Sequence, residues 1–276
     1  MIVFFNGTYM DDSKVCISLW DGGMQAGHGV YETLRTYHGA IKFLNEHLER
    51  FVASAKSLGL VIPYSKEEMG SFVGRLIEKR KTELGDTACD MRVRMTLTSG
   101  TDNFRTGVIA NFTFFITADA MREPVAWNVK LVTFDIHRNS PEIKSTSMLP
   151  SILAKIHARA HDAYESVMID SHGLVTEGTF TNIFLVKHDV LITPAGGMLH
   201  GITRGVVLKL VKKNKLMAVE ERDIKKNELY GADEIFLTNS IQGVVNVIQV
   251  DEKLFSENPS YATRIKNLYD DFLITV

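Results

Sequence analysis

The sequence predicts an α+β chain in two parts. Amphipathic helices and alternating strands occur in mixed order, without the regular strand–helix alternation of a parallel α/β fold. The pattern breaks at residues 121–126, around the Glu123-Pro124 step. A length of 276 residues is enough for two modest domains. The expected organisation is a small N-terminal α/β domain over residues 1–120, a linker over 121–126 and a larger C-terminal domain over 127–276.

The elements follow in order. The first nine residues read as a strand turning at Asn6-Gly7, a pair that tolerates the positive φ angles of a tight hairpin. Residues 21–29 hold four glycines, which predicts a tight turn or a close backbone approach. Residues 30–37 and 41–44 read as strands about His38-Gly39. Asn45 is placed to cap a helix that carries Leu48, Phe51, Val52, Ala55 and Leu58 on one face and ends at Gly59. A second helix over 65–84 opens with the capping pattern Ser65-Lys-Glu-Glu68 and closes at Gly85. Strands at 91–98 and 111–117 flank a polar loop at 99–107. Beyond the linker come a strand at 128–134 and a helix at 150–164 with Ile152, Leu153, Ile156 and Ala160 in register. A strand at 166–170 follows, then a hairpin of 183–186 with 190–193 over His188-Asp189. A helix at 202–213, a strand at 234–237 and a last helix at 261–272 complete the chain.

Bulk composition excludes several function classes. The chain is 45% hydrophobic and 23% charged with a formal net charge of -2, so no global field draws it to nucleic acid or an anionic membrane. It has no apolar run long enough for a membrane helix, and its start lacks the basic and apolar stretches of a signal peptide. Two distant cysteines, Cys16 and Cys89, rule out a disulfide framework and point to a reducing, cytoplasmic location. The nine histidines are scattered, and none forms a metal-like pair with a nearby carboxylate, so no metal is expected.

Three groups carry the chemistry. Lys144 lies between Ile143 and Met148-Leu149, an apolar background that favours a partly dry amine able to condense with an aldehyde. Glu177, followed by Gly178, could hold a cation, the glycine admitting a flat ring close to the backbone. Gly201-Ile202-Thr203-Arg204 opens a helix whose free N–H groups and positive dipole end suit a phosphate. Thr238-Asn239-Ser240, at a strand end, could close the other side of a phosphate cup, and Arg50 on a helix face is a further anion partner. One molecule is complementary to all three: pyridoxal 5′-phosphate (PLP). Its aldehyde meets the lysine, its protonated ring nitrogen the carboxylate, and its phosphate the helix start. Taken singly, each of these residues is as well explained as a surface lysine, a strand-end glutamate, a helix cap or a turn. Their occurrence together outweighs that.

The chain resembles the class IV aminotransferases, the fold-type IV PLP enzymes. The likeness runs through Asp21 to Arg35, Glu46-His-Leu-Glu-Arg50, Lys144, Thr176-Glu-Gly178 to Asn182-Ile-Phe184, Gly201-Ile-Thr-Arg204 and Asp233-Glu-Ile-Phe-Leu-Thr-Asn-Ser240. The resemblance implies a small N-terminal α/β domain and a larger, mixed β-barrel-like C-terminal domain with helices, PLP between them, and a homodimer in which the 99–107 loop reaches the neighbouring site. It implies that Lys144 forms the aldimine and shuttles the α-proton, and that Glu177 pairs with the pyridine nitrogen. Arg50, Ile202, Thr203, Asn239 and Ser240 then hold the phosphate end, while Tyr31, Arg94, Arg105 and Ile241 face substrate. The implied reaction moves an amino group between an amino acid or amine and a 2-oxo acid.

Parts of the chain depart from individual family branches. Ser99-Gly100 stands where many members have Arg-Gly, and Met148-Leu149 fill a stretch where branched-chain enzymes carry a tyrosine. Arg94 matches a branched-chain position, whereas Arg105 is a looser match to a D-amino-acid enzyme, offset by one residue. Val93 to Gly100 and Leu237 to Gly243 also look like aminodeoxychorismate lyase, which releases pyruvate and leaves 4-aminobenzoate; there His28 replaces a common aspartate and Asn246 a common proline. Transamination is the broader reading and the lyase the alternative; a non-catalytic PLP- or metabolite-binding module is a remote third, because Lys144 and Glu177 are both present.

Overall fold

The computed structural model describes residues 1–85, 89–101, 111–121 and 126–275. The chain packs as two compact units, Met1–Glu123 with Ile143–Met148, and Pro124–Glu142 with Leu149–Val276. The segment that carries Lys144 therefore belongs with the first unit, although a single boundary at 121–126 would assign it to the second. The reason is local pairing. Ser145 bridges Val30, the Tyr31 amide donates to the Lys144 carbonyl at 2.9 Å, and Ile143 is buried in the first core.

The first unit is an antiparallel sheet backed by two helices. Strands β1 (Ile2–Phe5) and β2 (Thr8–Asp11) form the expected hairpin, with φ of 42° at Asn6 and 92° at Gly7. The glycine-rich stretch is a short helix, α1 (Gly22–Ala26), rather than a bare turn. Asp21 caps it through its side chain and also accepts from the buried Thr98 and Thr113 hydroxyls. Strands β3 (Gly29–Tyr37) and β4 (Ala40–Ile41) follow, then α2 (Leu44–Ser57) and α3 (Lys66–Leu84), then β5 (Met91–Thr98) and β6 (Thr113–Ala120). The sheet order is β2-β1-β6-β5-β3-β4.

Asn45 is not the cap of α2; Phe43, at φ 59°, precedes a helix that starts at Leu44 without a side-chain cap. Leu48, Phe51 and Ala55 of α2 are buried as expected, while Val52 stays exposed. The Ser65 capping box on α3 is formed in both directions, Glu68 N to Ser65 Oγ and Ser65 N to Glu68 Oε2.

The second unit is built on a nine-stranded mixed sheet. Its elements are β7 (Val129–Asp135), α4 (Leu149–Ala160), β8 (Glu165–Ile169), β9 (Val175–Gly178), β10 (Asn182–Lys187), β11 (Val190–Thr193), α5 (Ile202–Lys213), β12 (Ala218–Glu221), α6 (Lys226–Tyr230), β13 (Glu234–Asn239), β14 (Gly243–Val250), β15 (Lys253–Leu254) and α7 (Ser260–Thr275). The order is β12-β11-β10-β13-β14-β7-β8-β9, with β15 on β14. β9 turns into β10 through residues 179–181, and Gly178 N donates to Thr181 O, so the sheet curls until its last strand returns beside β10. This is the barrel-like form that the resemblance implies. Sequence patterning passes over β9, β12, β14, β15 and α6. The strands β9 and β14 are buried almost throughout, so they lack the alternation that marks a half-exposed strand.

One helix contradicts its expected packing. In α4 the buried residues are Ser151, Ala154 and Ala158, whereas Ile152 is 47% and Ile156 57% exposed, with Leu149 and Leu153 exposed beside them. The small face lies on the sheet because strands β7 and β8 approach closely there, and the large apolar face is left outward in the single chain.

Candidate active site

In the first unit, two backbone–backbone hydrogen bonds attach the lysine segment to the start of β3, and one to a side chain attaches it to α2. Lys144 O accepts from Tyr31 N (2.9 Å), Thr146 N donates to Gly29 O (2.8 Å), and Lys144 N donates to Ser54 Oγ on α2 (3.3 Å). The lysine is thereby held by both a strand and a helix. Its side chain is half-buried, and Nζ lies 4.7 Å from the centre of the Tyr31 ring. Arg94, on β5, reaches the same ring, with its Cζ 3.9 Å from the centre. The cross-strand register explains this: Tyr31 lies opposite Thr96, so Arg94 on the neighbouring strand is a diagonal partner on the same face. Burial pushes the Arg94 pKa down, against the pull of Tyr31, but a guanidinium keeps its charge. Two basic side chains therefore meet at one aromatic ring.

The same unit holds a buried charge cluster that sequence reasoning misses. Arg50 donates from Nε to Glu32 Oε1 (2.7 Å) and from Nη2 to Glu32 Oε2 (2.8 Å), while His47 Nδ1 meets Glu32 Oε2 at 2.7 Å. Glu32 is 0% exposed. Burial opposes its charge, yet the Arg50 guanidinium and the His47 hydrogen bond override this and hold it at about 2. Burial lowers the His47 pKa, opposed by Glu32. The alternation of β3, which buries 30, 32, 34 and 36, is the available signal that Glu32 faces inward. Arg50 is thus already engaged by a carboxylate, where the sequence suggests a phosphate.

In the second unit, Glu177 sits on the fully buried strand β9. Its Oε1 accepts from Arg138 Nη1 at 3.1 Å and its Oε2 from Leu199 N at 3.0 Å. The Leu199 carbonyl in turn accepts from Asn182 Nδ2 at 2.7 Å. Gly201 then opens α5, and among the described residues no side chain caps that helix. A Cβ on Gly201 would stand 2.0 Å from Asn182 Oδ1, so glycine is required where the chain enters the helix. Ile202 and the buried Thr203 form the first turn. One pinned segment thus links the Glu177 carboxylate to a helix start that no side chain caps among the described residues.

Gly178 serves a different purpose from the one expected. A Cβ there would lie 2.1 Å from Thr181 Oγ1 and 2.7 Å from Glu165 Oε2, so its space is filled by protein. Glu165 is a buried carboxyl whose pKa burial raises; it accepts from Thr181 Oγ1 and Phe180 N and so braces the turn after Glu177.

At the end of β13, Thr238 Oγ1 is buried and has no hydrogen-bond partner among the described residues. Thr238 pairs in register with Asn182. Asn239 is turned to its own chain: Oδ1 accepts from Ile241 N (2.9 Å) and Gln242 N (2.7 Å), so its amide shapes the turn that presents Ser240 and Ile241. Arg105 lies outside the described residues. Among the described residues no cluster of metal-ligating groups occurs, and no helix is long and apolar enough to cross a membrane.

Residues 29–250 match the family model for class IV amino-transferases. The chain is 33% identical, over 99% of its own length and 95% of the other, to a protein assigned as a branched-chain-amino-acid aminotransferase in Methanocaldococcus jannaschii. It is 32% identical to D-alanine aminotransferase of Bacillus licheniformis, covering 91% of this chain and 89% of that one. The crystal structure of the branched-chain aminotransferase of Thermoproteus uzoniensis with norvaline superposes with a TM-score of 0.89 at 26% identity, covering 100% of this chain and 95% of that one. These likenesses support transamination over the lyase alternative. With its family model spanning most of the sequence and its fold shared end to end with such enzymes, this chain belongs to the class IV aminotransferases, which are PLP-dependent.

Proposed function

We propose that the chain transfers the amino group of a carboxylate-bearing amino acid to a 2-oxo acid, with Lys144 as its catalytic residue and Arg94 as the carboxylate partner. The observation that carries this is the convergence of Lys144 Nζ and the Arg94 guanidinium on the Tyr31 ring. An amine for the aldehyde stands near a fixed positive charge for the substrate. The relatives named above bear branched-chain and D-alanine aminotransferase names, so both branched-chain and small D-amino acids are donors to try.

The residues present fit PLP. A buried hydroxyl without a partner among the described residues at Thr238, an uncapped helix start at Gly201 to Thr203 and a carboxylate at Glu177 are the donor and acceptor types the molecule requires. When bound, PLP supplies a conjugated ring that withdraws electrons from the substrate α-carbon. The rest falls to this chain. Lys144 Nζ would hold the aldehyde end and, as a free amine, would move the proton at the substrate α-carbon. Glu177 holds the proton on the ring nitrogen. Ile202 N, Thr203 and Ser240 take the phosphate, and Asn239 supports that turn. Arg50 brings a neutralised pair rather than a bare cation, so the main grip falls to α5. Tyr31 packs against the lysine, and Ile241, with Arg105, borders the substrate.

A second copy of the chain is the partner we propose for the outward apolar face of α4, Leu149, Ile152, Leu153 and Ile156. Sedimentation of Ile152→Glu against the parent tests it: the variant is expected to be lighter.

The functional test is a half-reaction screen. Cofactor absorbance is followed with L- and D-amino acids and with amines that lack a carboxylate. Amino acids are expected to bleach the parent spectrum; Lys144→Ala is expected to bind PLP without responding. Arg94→Gln is expected to lose roughly 10–100-fold in response to amino acids and little to amines, the scale of one charged hydrogen bond. Equal response of Arg94→Gln to both classes would overturn the carboxylate assignment.

A further inference from the structure

We propose that Arg138 is a positioning residue for Glu177: it fixes the carboxylate's direction and tempers its charge, so that it sets how firmly the cofactor's ring nitrogen keeps its proton. This rests on the reading above that Glu177 faces that nitrogen.

The geometry is specific. Arg138 lies in the segment after β7, and its Nη1 donates to Oε1 of Glu177 at 3.1 Å, while Leu199 N takes Oε2 at 3.0 Å. Both side chains are largely buried, at 14% and 7% exposure. A carboxylate accepts on both of its oxygens, so a donor on each fixes its plane. The strand beneath is rigid, since Val175 N donates to Ile224 O and Gly178 N to Thr181 O. The two donors differ in kind. Leu199 N contributes a dipole; Arg138 contributes a full positive charge. That charge weakens the field a carboxylate would otherwise place on a cationic ring nitrogen. Glu165 on β8, another ionisable side chain near this strand, faces Gly178 and Thr181 and is a carboxyl whose pKa burial raises. Arg138 is a charged partner that an isolated carboxylate would lack.

The chemistry asks for such tempering. A nitrogen held too strongly as a cation makes the ring a sink at all times, whereas one held too weakly fails to withdraw electrons at all. A guanidinium behind the carboxylate sets a value between these limits without touching substrate.

The experiment uses PLP-loaded parent, Arg138→Gln, Arg138→Lys and Glu177→Gln. Each is titrated by absorbance with pH and by ¹⁵N chemical shift of ring-labelled cofactor, without substrate. Arg138→Gln keeps a donor and removes the charge, so the ring nitrogen is expected to stay protonated to higher pH, by about one unit or more. Arg138→Lys restores the charge and is expected to titrate within a few tenths of a unit of the parent, about a twofold change in proton affinity. Glu177→Gln is expected to lose the protonated nitrogen across the range. If Glu177→Gln shifts the titration and Arg138→Gln does not, the proposal fails while the Glu177 reading stands. If neither shifts it, the Glu177 reading itself fails. Thermal unfolding of the PLP-free variants separates a structural part: destabilisation of Arg138→Gln and Arg138→Lys alike, with unmoved titrations, overturns the proposal.

Discussion

Each unit holds a largely buried arginine–glutamate pair, Arg50–Glu32 in the first and Arg138–Glu177 in the second, and the two differ in how the carboxylate is held. Glu32 is enclosed: Arg50 holds both its oxygens with short bonds, and His47 adds a third. Glu177 is held at one oxygen by Arg138 at a longer 3.1 Å and at the other by a backbone N–H. A carboxylate gripped on both oxygens by one guanidinium is tied to the packing of its own unit. One held by a guanidinium on one oxygen and a backbone N–H on the other is aimed by two separate segments. Burial of a charge does not mark function by itself.

The largest test of this contrast is truncation of the enclosed carboxylate. Glu32→Ala leaves Arg50 and His47 buried without their partner and is expected to cost about 3–5 kcal/mol of stability. Arg138→Met, at the more open pair, is expected to cost less than half as much. Urea unfolding followed by circular dichroism measures both, and equal losses would erase the distinction.

Acid comes next. The Glu32 pKa is depressed from 4.5 to about 2, so its stabilisation is complete above pH 4.5 and is lost as pH falls toward 2, on the order of 3 kcal/mol in all. His47 acts in the same direction. Its folded pKa lies below the ordinary 6.5, so the unfolded chain takes up a proton more readily below that value and stability declines there too. Glu32→Gln is expected to flatten the stability profile between pH 4.5 and 2; an unchanged slope would mean other carboxylates carry the acid sensitivity.

Gly201→Ala sharpens the comparison at the open site. Its Cβ would meet Asn182 Oδ1 at 2.0 Å, so a loss of about 1–3 kcal/mol is expected, with weaker PLP binding because α5 must shift. The smallest effect is expected from Thr238→Val. Its hydroxyl is buried without a partner among the described residues, so removal is expected to change PLP-free stability by less than about 0.5 kcal/mol. The same change is expected to weaken PLP binding several-fold, measured by equilibrium dialysis. A variant that binds PLP like the parent would remove Thr238 from the phosphate end.

Much of this fold is legible in the amino-acid order alone. The helix α3 with its Ser65–Glu68 cap, the Asn6-Gly7 and His188-Asp189 hairpins and α5 starting at Ile202 are local matters, decided within a few residues by φ preference, capping and apolar spacing. Lys144, Glu177 and the Gly201-Ile-Thr start stand out only together, as three groups complementary to one molecule. Asn45 fails as a cap because Phe43 takes the left-handed turn first. The apolar stripe of α4 is present as its spacing predicts but lies on the opposite side from the sheet, since periodicity says that a face is apolar and not what it meets.

Sequence by itself determined the class of fold, most helices and hairpins, and the kinds of groups available for chemistry, because those depend on contacts within a few residues. Tertiary structure alone decided which groups are partners. It gave Arg50 to Glu32 and Arg138 to Glu177, drew residues 143–148 onto β3, and filled the space beside Gly178 with Thr181 and Glu165. Pairing energies between charges fall steeply with distance and with the water between them, and both are set by how distant segments pack, which no local pattern encodes.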